Sequence, residues 1–314
     1  MPTPPSIERI EPREALGRSE FRALYEERER PVVIAGGARH FPATQSWTPD
    51  FLSAKVGHVE VPFKLSDTNA HPNFRATERA RMFARDQAPL GELFRAITQG
   101  SAAERAQRLF TGDERFLLQR RNGRTVTDPE LFVLLEDVPV PSIVAEDRLY
   151  TIWGWFSGPG VRTWLHYDNN GCHNVNAQIT GKKDCLLFPP SELPKLAPFA
   201  LGGDNPAHNC SQIDVDAPDL ARFPEFGTAV CERAELDAGD LLFIPAFWFH
   251  TFRHLGQFNS NVNFWYRPES SRPNPVATRQ ALLDLAAASG LARSDEPATR
   301  ELLARLDAAA VGGV

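Results

Sequence analysis

Between about residues 150 and 267 the sequence is divided into short apolar segments by frequent turn residues, and this rhythm limits the possible folds. Clusters such as Ser157-Gly158-Pro159-Gly160 and Gly181-Lys182 indicate the turns. Short strands in such close succession are typical of a β-sandwich or β-barrel. The segments predicted as strands are Thr151–Ser157, Asn174–Ile179, Asp184–Phe188, Val230–Glu235, Asp240–Ile244, Phe249–Arg253 and Ser260–Tyr266.

Mixed elements precede this strand series, and a helical region follows it. We therefore expect a mainly β protein with flanking helices, in which residues 1–149 wrap a β core of residues 150–267 as one domain, followed by a helical region, 268–314. The predicted helices are Pro12–Glu29, a short one from Pro49 with Thr48 as its N-cap, Leu90–Ile97, Asn274–Leu291 and Pro297–Ala310. The predicted strands before the series are Pro31–Ile34, His58–Lys64 and Arg115–Arg120.

The charge balance and the absence of targeting signals bear on partners and location. The chain has 34 Lys and Arg residues against 40 Asp and Glu residues, a net charge of −6. A general affinity for nucleic acid needs a basic surface, so nucleic acid is expected to be an unlikely partner. The sequence shows no signal peptide and no apolar run long enough for a membrane span, and its four cysteines lack C-x-x-C spacing. We expect a cytoplasmic protein with no membrane partner.

Three residues in the β region have the types and positions of a metal site. His166 and Asp168 form an H-x-D pair, and on a strand residues two apart point to the same face. His250 follows a turn, an apolar strand and a proline break, Gly239 to Pro245. Each part alone has an ordinary explanation, a chance H-x-D or a core histidine. Together, two imidazoles and one carboxylate match the facial triad of non-haem Fe(II) oxygenases.

Several further segments carry a family resemblance. They are Arg30–Ile34, Trp47-Thr48, HYDNNGCHNVNAQITGKKDCLLFPPSEL from His166, SQIDVDAPDLARFPEF from Ser211, G-D-x4-P with His250, and Val262–Tyr266. With these segments the sequence resembles the JmjC and cupin-type Fe(II)/2-oxoglutarate oxygenases, with a narrower likeness to the asparaginyl hydroxylases of hypoxia-inducible factor. The resemblance implies a double-stranded β-helix (jelly-roll, cupin or JmjC-like) core and the use of Fe(II), 2-oxoglutarate and O2.

The resemblance also assigns roles to individual positions. His166, Asp168 and His250 are implied as the catalytic metal ligands. Thr163 and Lys183 are implied to hold the far carboxylate of 2-oxoglutarate, although strand parity cannot choose between Lys183 and Lys182, because the turn at Gly181 resets the alternation. The remaining positions implied near the cosubstrate and the metal are Asn174, Asn263 and Trp265.

The sequence departs from the family pattern at places that concern 2-oxoglutarate and the substrate. A family tyrosine that helps to hold the far carboxylate falls on Leu117, or on Phe116 if the register slips, so one hydrogen bond is expected to be lost. Asn209 and Cys210 occupy places that orient the target asparagine in the hydroxylases. Two extra residues lie between Asp168 and Asn174.

The function expected from the resemblance is hydroxylation of a protein or peptide side chain, with release of succinate and CO2. A small metabolite or a tRNA base is an alternative substrate for the same chemistry. A different alternative is a cupin module that binds metal without turnover. The family likeness further suggests a homodimer formed through the C-terminal helices, where Leu282 and Leu285, and Leu302, Leu303 and Leu306, have amphipathic spacing.

Overall fold

The computed structural model describes residues 3–11, 17–66, 69–72, 74–75, 85–101, 108–109, 119–121, 124–126, 130–200, 207–270 and 273–288. The strands are β1 Arg9–Ile10, β2 Val32–Ile34, β3 Glu60–Leu65, β4 Ala70–His71, β5 Arg85–Pro89, β6 Arg108–Leu109, β7 Gln119–Arg121, β8 Arg124–Val126, β9 Leu149–Ser157, β10 Arg162–Thr163, β11 His173–Thr180, β12 Lys182–Phe188, β13 Glu232–Asp237, β14 Leu241–Ile244, β15 Phe249–His254 and β16 Asn259–Tyr266. The α-helices are α1 Arg18–Phe21, α2 Pro42–Ser46, α3 Pro49–Val56, α4 Leu90–Gln99 and α5 Pro275–Ala288. The chain also forms a π-helical segment, Arg22–Glu26, and the 3-10 segments Phe132–Asp137, Glu146–Arg148, Pro190–Lys195 and Pro224–Thr228.

Two facing sheets form the centre of the molecule, as expected for a jelly-roll core. The larger has the order β1-β2-β14-β11-β16-β9, and the smaller has the order β13-β12-β15-β10-β4. The central neighbours pair antiparallel, with Asn174 opposite both Ile244 and Trp265 and with Lys183 opposite His254. All seven strands predicted after residue 150 are confirmed, with ends that shift by only a few residues.

The space between the two sheets is apolar on one side and polar on the other. Residues from both sheets, including Leu242, Leu187 and Phe252, form a buried apolar cluster. Elsewhere the inward positions of β11 and β16 carry asparagines, while the alternate positions, such as Val175 and Phe264, join a large cluster on the outer face. Both faces of these strands are therefore buried. The outward face supplies hydrophobic core, and the polar inward face lines a cavity.

The N-terminal elements cover the outer face of the larger sheet. Helix α3 begins as predicted, since the Thr48 hydroxyl accepts a hydrogen bond from Phe51 N at 3.2 Å. The predicted helix Pro12–Glu29 is found only as α1 and the π-helical segment, and residues 12–16 lie outside the described residues. The Tyr266 hydroxyl of β16 donates a hydrogen bond to buried Glu26, which ties this segment to the β core.

Helix α5 is anchored to the β core at its first turn. The Asn274 side chain accepts from Val276 N at 2.9 Å and donates to the Tyr167 hydroxyl at 3.1 Å. Val276 is buried in the cluster that includes Tyr167, whereas Leu285 near the end of α5 is 64% exposed. The second predicted helix, Pro297–Ala310, lies outside the described residues. The division into a domain of 1–267 and a helical region of 268–314 stays a prediction.

Within the described part of the chain, no helix combines the length and the apolar character that crossing a membrane requires.

Candidate metal centre

His166, Asp168 and His250 meet at the mouth of the polar space between the sheets. Each offers one ligand atom, and these atoms lie within 4.8 Å of one another. The two histidines are joined by a backbone bridge, with His250 N donating to His166 O at 2.7 Å and His166 N donating to His250 O at 3.1 Å. The expectation that His166 and Asp168 share a regular strand is wrong, because His166 forms only isolated bridges, to His250 and Cys210, and Asp168 lies beyond them.

Backbone carbonyls orient both imidazole rings. His166 Nδ1 lies 2.7 Å from Trp164 O, and His250 Nδ1 lies 3.0 Å from Trp248 O. A carbonyl oxygen only accepts, so each Nδ1 carries the hydrogen and each Nε2 keeps its lone pair for a metal. These Nε2 atoms lie 4.0 Å and 3.9 Å from the same oxygen, Asp168 Oδ1.

The other carboxylate oxygen of Asp168 is fixed by two donors. Trp265 Nε1 donates to Asp168 Oδ2 at 2.8 Å, and Asn174 Nδ2 donates to it at 3.0 Å. Asn263 in turn donates to Asn174 Oδ1 at 3.0 Å. The residues named from the sequence as lying near the cosubstrate and the metal therefore form a hydrogen-bonded relay that orients Asp168.

The protonation states of the site suit metal binding. Burial and the neighbouring charge of His250 lower the pKa of His166 to about 4. Burial opposes ionisation of Asp168, but the adjacent histidines and the two hydrogen-bond donors bring its pKa below the ordinary value. Near neutral pH, His166 is thus a neutral ligand and Asp168 an anionic one. Two nitrogens and one carboxylate oxygen fit a divalent iron ion that keeps open positions.

The three ligand residues border a cavity of about 350 Å³ that extends between the two sheets. Its walls carry the ligands, most of the residues singled out from the sequence, and others. The lining residues outside the ligand set are Tyr150, Thr151, Trp153, Trp155, Ser157, Thr163, Asn169, Asn170, Asn174, Asn176, Lys183, Asn209, Phe252, His254, Asn261, Asn263 and Trp265.

Lys183 is the cation of this cavity, and Lys182 is outside it. The Lys183 side chain is 1% exposed, with Nζ 3.1 Å from Asn176 Oδ1 and 4.8 Å from the centre of the Phe252 ring. Burial lowers the pKa of Lys183 to about 7. Among the described residues, no carboxylate forms an ion pair with it. Lys182 instead pairs on the surface with Glu235 at 2.9 Å.

Thr163 lies on β10, which pairs with β15, the strand between β10 and the lysine strand β12. Its hydroxyl oxygen accepts from Phe252 N at 2.9 Å, and its carbonyl accepts from the Thr251 hydroxyl. The Thr163 hydroxyl hydrogen is therefore still available to a ligand in the cavity.

Several lining residues were not predicted from the sequence, although strand alternation indicates them. Asn176 is two residues after Asn174, and Asn261 is two residues before Asn263, so strand alternation places each pair on one face. The same argument applies to His254, which is four residues after His250 on β15. Trp153 and Trp155 alternate along β9 in the same way.

The residues that depart from the family pattern lie in different parts of the structure. Asn209 lines the cavity and donates to Tyr167 O at 2.8 Å, whereas Cys210 is buried in an apolar cluster. Asn169 and Asn170, in the loop with the two extra residues, also line the cavity. Leu117 and Phe116 lie outside the described residues.

A profile of the cupin-like domain matches residues 18–272 of this chain. The chain belongs to the cupin-like, JmjC-type family. It is 31% identical over 300 residues to tRNA wybutosine-synthesizing protein 5 of Danio rerio, covering 91% of this chain and 86% of that protein. The human protein of the same name is 32% identical over 80% of this chain and 76% of its own length. Lysine-specific demethylase 8 of Xenopus tropicalis is 30% identical over 78% of this chain, and the match covers 50% of that protein.

These comparisons correct one expectation and leave another without support. The expectation that nucleic acid is an unlikely partner is wrong, because two of these relatives carry the name tRNA wybutosine-synthesizing protein 5. It rested on the net charge of the whole chain, which does not describe the surface around a cavity. The narrower likeness to the asparaginyl hydroxylases is not shown by these relatives.

Proposed function

We propose that this protein is an Fe(II)- and 2-oxoglutarate-dependent dioxygenase that hydroxylates its substrate and releases succinate and CO2. The observation that carries the proposal is the cavity itself, with three metal-ligand side chains at one end and an unpaired, buried ammonium at the other. A 2-oxo acid with a second carboxylate has matching ends, a chelating group for the metal and an anion for Lys183.

His166, Asp168 and His250 would hold Fe(II), which with 2-oxoglutarate supplies the activation of O2 when bound. Trp265 and Asn174 keep Asp168 Oδ2 occupied and leave Oδ1 directed at the metal position. Lys183 gains its counter-ion only when the far carboxylate arrives, so charge and desolvation favour a dicarboxylate over a neutral ligand.

For the substrate we propose a nucleoside base of tRNA. The relatives named for tRNA modification cover most of this chain and most of their own length. Tryptophan rings line one wall of the cavity: Trp153 lies 5.7 Å from Trp155 and 5.4 Å from Trp265, measured between ring centroids. Aromatic side chains of this kind stack on unpaired bases, and Asn169 and Asn170, which also line the cavity, offer donors and acceptors to base edges.

A positive group lies close to this aromatic wall. Exposed Arg267 lies with its guanidinium carbon 5.0 Å from the centre of the Tyr150 ring, and Tyr150 lines the cavity. A phosphate next to a base in the cavity would find its counter-charge here, so local electrostatics support a tRNA substrate although the chain as a whole is acidic.

The experiment measures succinate formation with Fe(II), ascorbate and 2-oxoglutarate, using total tRNA as one substrate pool and a mixed peptide library as the other. Nucleoside mass spectrometry then looks for a gain of one oxygen. Succinate that rises with tRNA and disappears in Asp168→Ala supports the proposal. Turnover with peptides alone would replace tRNA with a protein side chain, whereas wild-type protein that neither binds 2-oxoglutarate nor forms succinate contradicts the oxygenase itself.

A protein side chain is the second candidate substrate, and the demethylase relatives favour it. They match 78–84% of this chain at 26–30% identity, but the match covers only about half of their own length. Two further proposals come from the sequence, a homodimer through the C-terminal helices and a cytoplasmic location. Leu285 on α5 is a large apolar side chain that is 64% exposed.

A further inference from the structure

His254 lies in the part of the cavity that holds Lys183. It ends β15, the strand that begins with Phe249 and His250, and it pairs directly across from Lys183 of β12. Both side chains line the cavity. Directly opposed residues on antiparallel strands have their Cβ atoms about 5 Å apart, so one small anion can contact both side chains.

The ring of His254 is held in place by the neighbouring strand. Its Nδ1 is hydrogen-bonded to the hydroxyl of buried Ser157, at the end of β9. Its backbone is also fixed, since His254 N donates to Val161 O at 2.8 Å and His254 O accepts from Gly160 N at 2.8 Å. Among the described residues, no side chain or backbone group is hydrogen-bonded to Nε2, the nitrogen left for the cavity.

His254 is suited to donate without adding charge. Burial, together with the charge of Lys183, takes the pKa of His254 well below its ordinary value, so the ring is neutral. When the Ser157 hydroxyl donates to Nδ1, the single ring hydrogen is on Nε2 and is directed at the cavity. A neutral donor beside an ammonium strengthens an anion site without repulsion between like charges.

We propose that His254, held by Ser157, is an additional ligand of the far carboxylate of the 2-oxo acid. Lys183 and the Thr163 hydroxyl would share this carboxylate with it. The inference rests on the proposed function. His254 adds a hydrogen-bond donor that was not predicted from the sequence. The family tyrosine that the resemblance implies at this carboxylate falls on Leu117, which has no side-chain donor. The contact with the carboxylate also makes His254 a determinant of selectivity for dicarboxylates over shorter 2-oxo acids.

The test compares two ligands that chelate a metal in the same way but differ in the far carboxylate. Anaerobic calorimetry on the Fe(II)-loaded protein gives the dissociation constants of 2-oxoglutarate and of pyruvate, which lacks that carboxylate. For His254→Leu we expect the dissociation constant of 2-oxoglutarate to rise about tenfold or more, as for loss of one hydrogen bond to a charged group. The constant for pyruvate should change by less than about twofold.

Two variants and one control separate direct contact from a structural role. His254→Gln keeps an N–H donor and should recover most of the affinity for 2-oxoglutarate. Ser157→Ala leaves the ring in place but removes its support, so it should give an intermediate loss restricted to 2-oxoglutarate. His40→Leu changes an exposed histidine that does not line the cavity and should match wild type.

The outcomes that overturn the inference differ from those that overturn the proposed function. An unchanged affinity for 2-oxoglutarate in both His254→Leu and Ser157→Ala, or an equal loss for both ligands, would show that His254 does not contact the carboxylate. If His254→Leu does not fold, the His254→Gln and Ser157→Ala measurements decide alone. Wild-type protein that does not bind 2-oxoglutarate would overturn the proposed function, and this inference with it.

Discussion

Replacing Lys183 with methionine should make the protein more stable and weaken its binding of 2-oxoglutarate. Lys183 Nζ contacts an amide oxygen and an aromatic ring in place of a counter-ion. Burial lowers its pKa from 10.5 to about 7. At 1.36 kcal/mol per pKa unit, holding the charged form in the folded protein costs about 5 kcal/mol. Methionine of similar length fills the site without this cost but loses the Asn176 contact, so we expect a net gain of about 1–3 kcal/mol.

The stability gain of Lys183→Met depends on pH, and the lowered pKa of Lys183 determines the direction of this dependence. Between about pH 7 and pH 10.5 the unfolded chain binds a proton at Lys183 that the folded protein does not, so the stability of the wild-type protein rises with pH in this window. Below pH 7 both states are protonated and the cost is complete. The stability advantage of Lys183→Met should therefore be largest near pH 6.5 and should shrink as the pH approaches 10.

Chemical unfolding at several pH values and anaerobic titration with 2-oxoglutarate measure the two effects. The variant should bind 2-oxoglutarate at least tenfold more weakly. Affinity of the wild-type protein should fall above pH 7, by about tenfold for each pH unit, because the carboxylate needs the charged lysine. Lys182→Met is the matched control, since that lysine is on the surface, and it should bind normally. A Lys183→Met protein that is less stable and still binds 2-oxoglutarate would refute the reasoning.

Other perturbations address the metal, the substrate and the assembly. Trp265→Phe removes the donor to Asp168 Oδ2 and should weaken Fe(II) binding about 10–100-fold in a metal titration; unchanged affinity would mean that the relay does not orient the ligand. Trp153→Ala should weaken tRNA binding by about 1–3 kcal/mol in a filter-binding assay without changing the affinity for 2-oxoglutarate. Arg267→Glu should weaken tRNA binding most at low salt. If the variant and the wild-type protein bind tRNA equally at every salt concentration, a phosphate contact of Arg267 is contradicted. Leu285→Glu should shift the protein from dimer to monomer in light scattering, and a wild-type monomer would refute the dimer.

The strand positions could be predicted because their physical cause is local. Alternation and turn residues are properties of short segments, and they placed the strands after residue 150 correctly. Parity within β12 could also have separated the two lysines, although the turn at Gly181 hides the parity across it. Lys183 shares a face with Cys185 and Leu187, which are buried, whereas Lys182 shares a face with Asp184 and has an exposed partner in Glu235.

The substrate class could not be predicted in the same way, because it depends on a surface assembled from distant segments. Net charge adds every residue of the chain, whereas the proposed base and its phosphates would contact a local surface that includes Arg267 and the tryptophans of the cavity wall. Local strand alternation also could not predict the position of Asp168 relative to His166. The H-x-D spacing assumed a continuous strand, but the centre is built where one bridge joins His166 to His250 and the chain then leaves the sheet.

The polar interior explains why one set of strands can supply both the core and the site. Strands β11 and β16 of the larger sheet each have one apolar face, and that face is directed outward, where the N-terminal elements bury it. Asn174, Asn176 and Asn263 therefore occupy inward positions that need not pack, and their amides satisfy one another and Asp168. Replacing these residues with apolar ones would fill the cavity and remove the donors that hold the ligand carboxylate. On β11 and β16 the outward face thus supplies the buried apolar area, which leaves the inward face of these two strands free for chemistry.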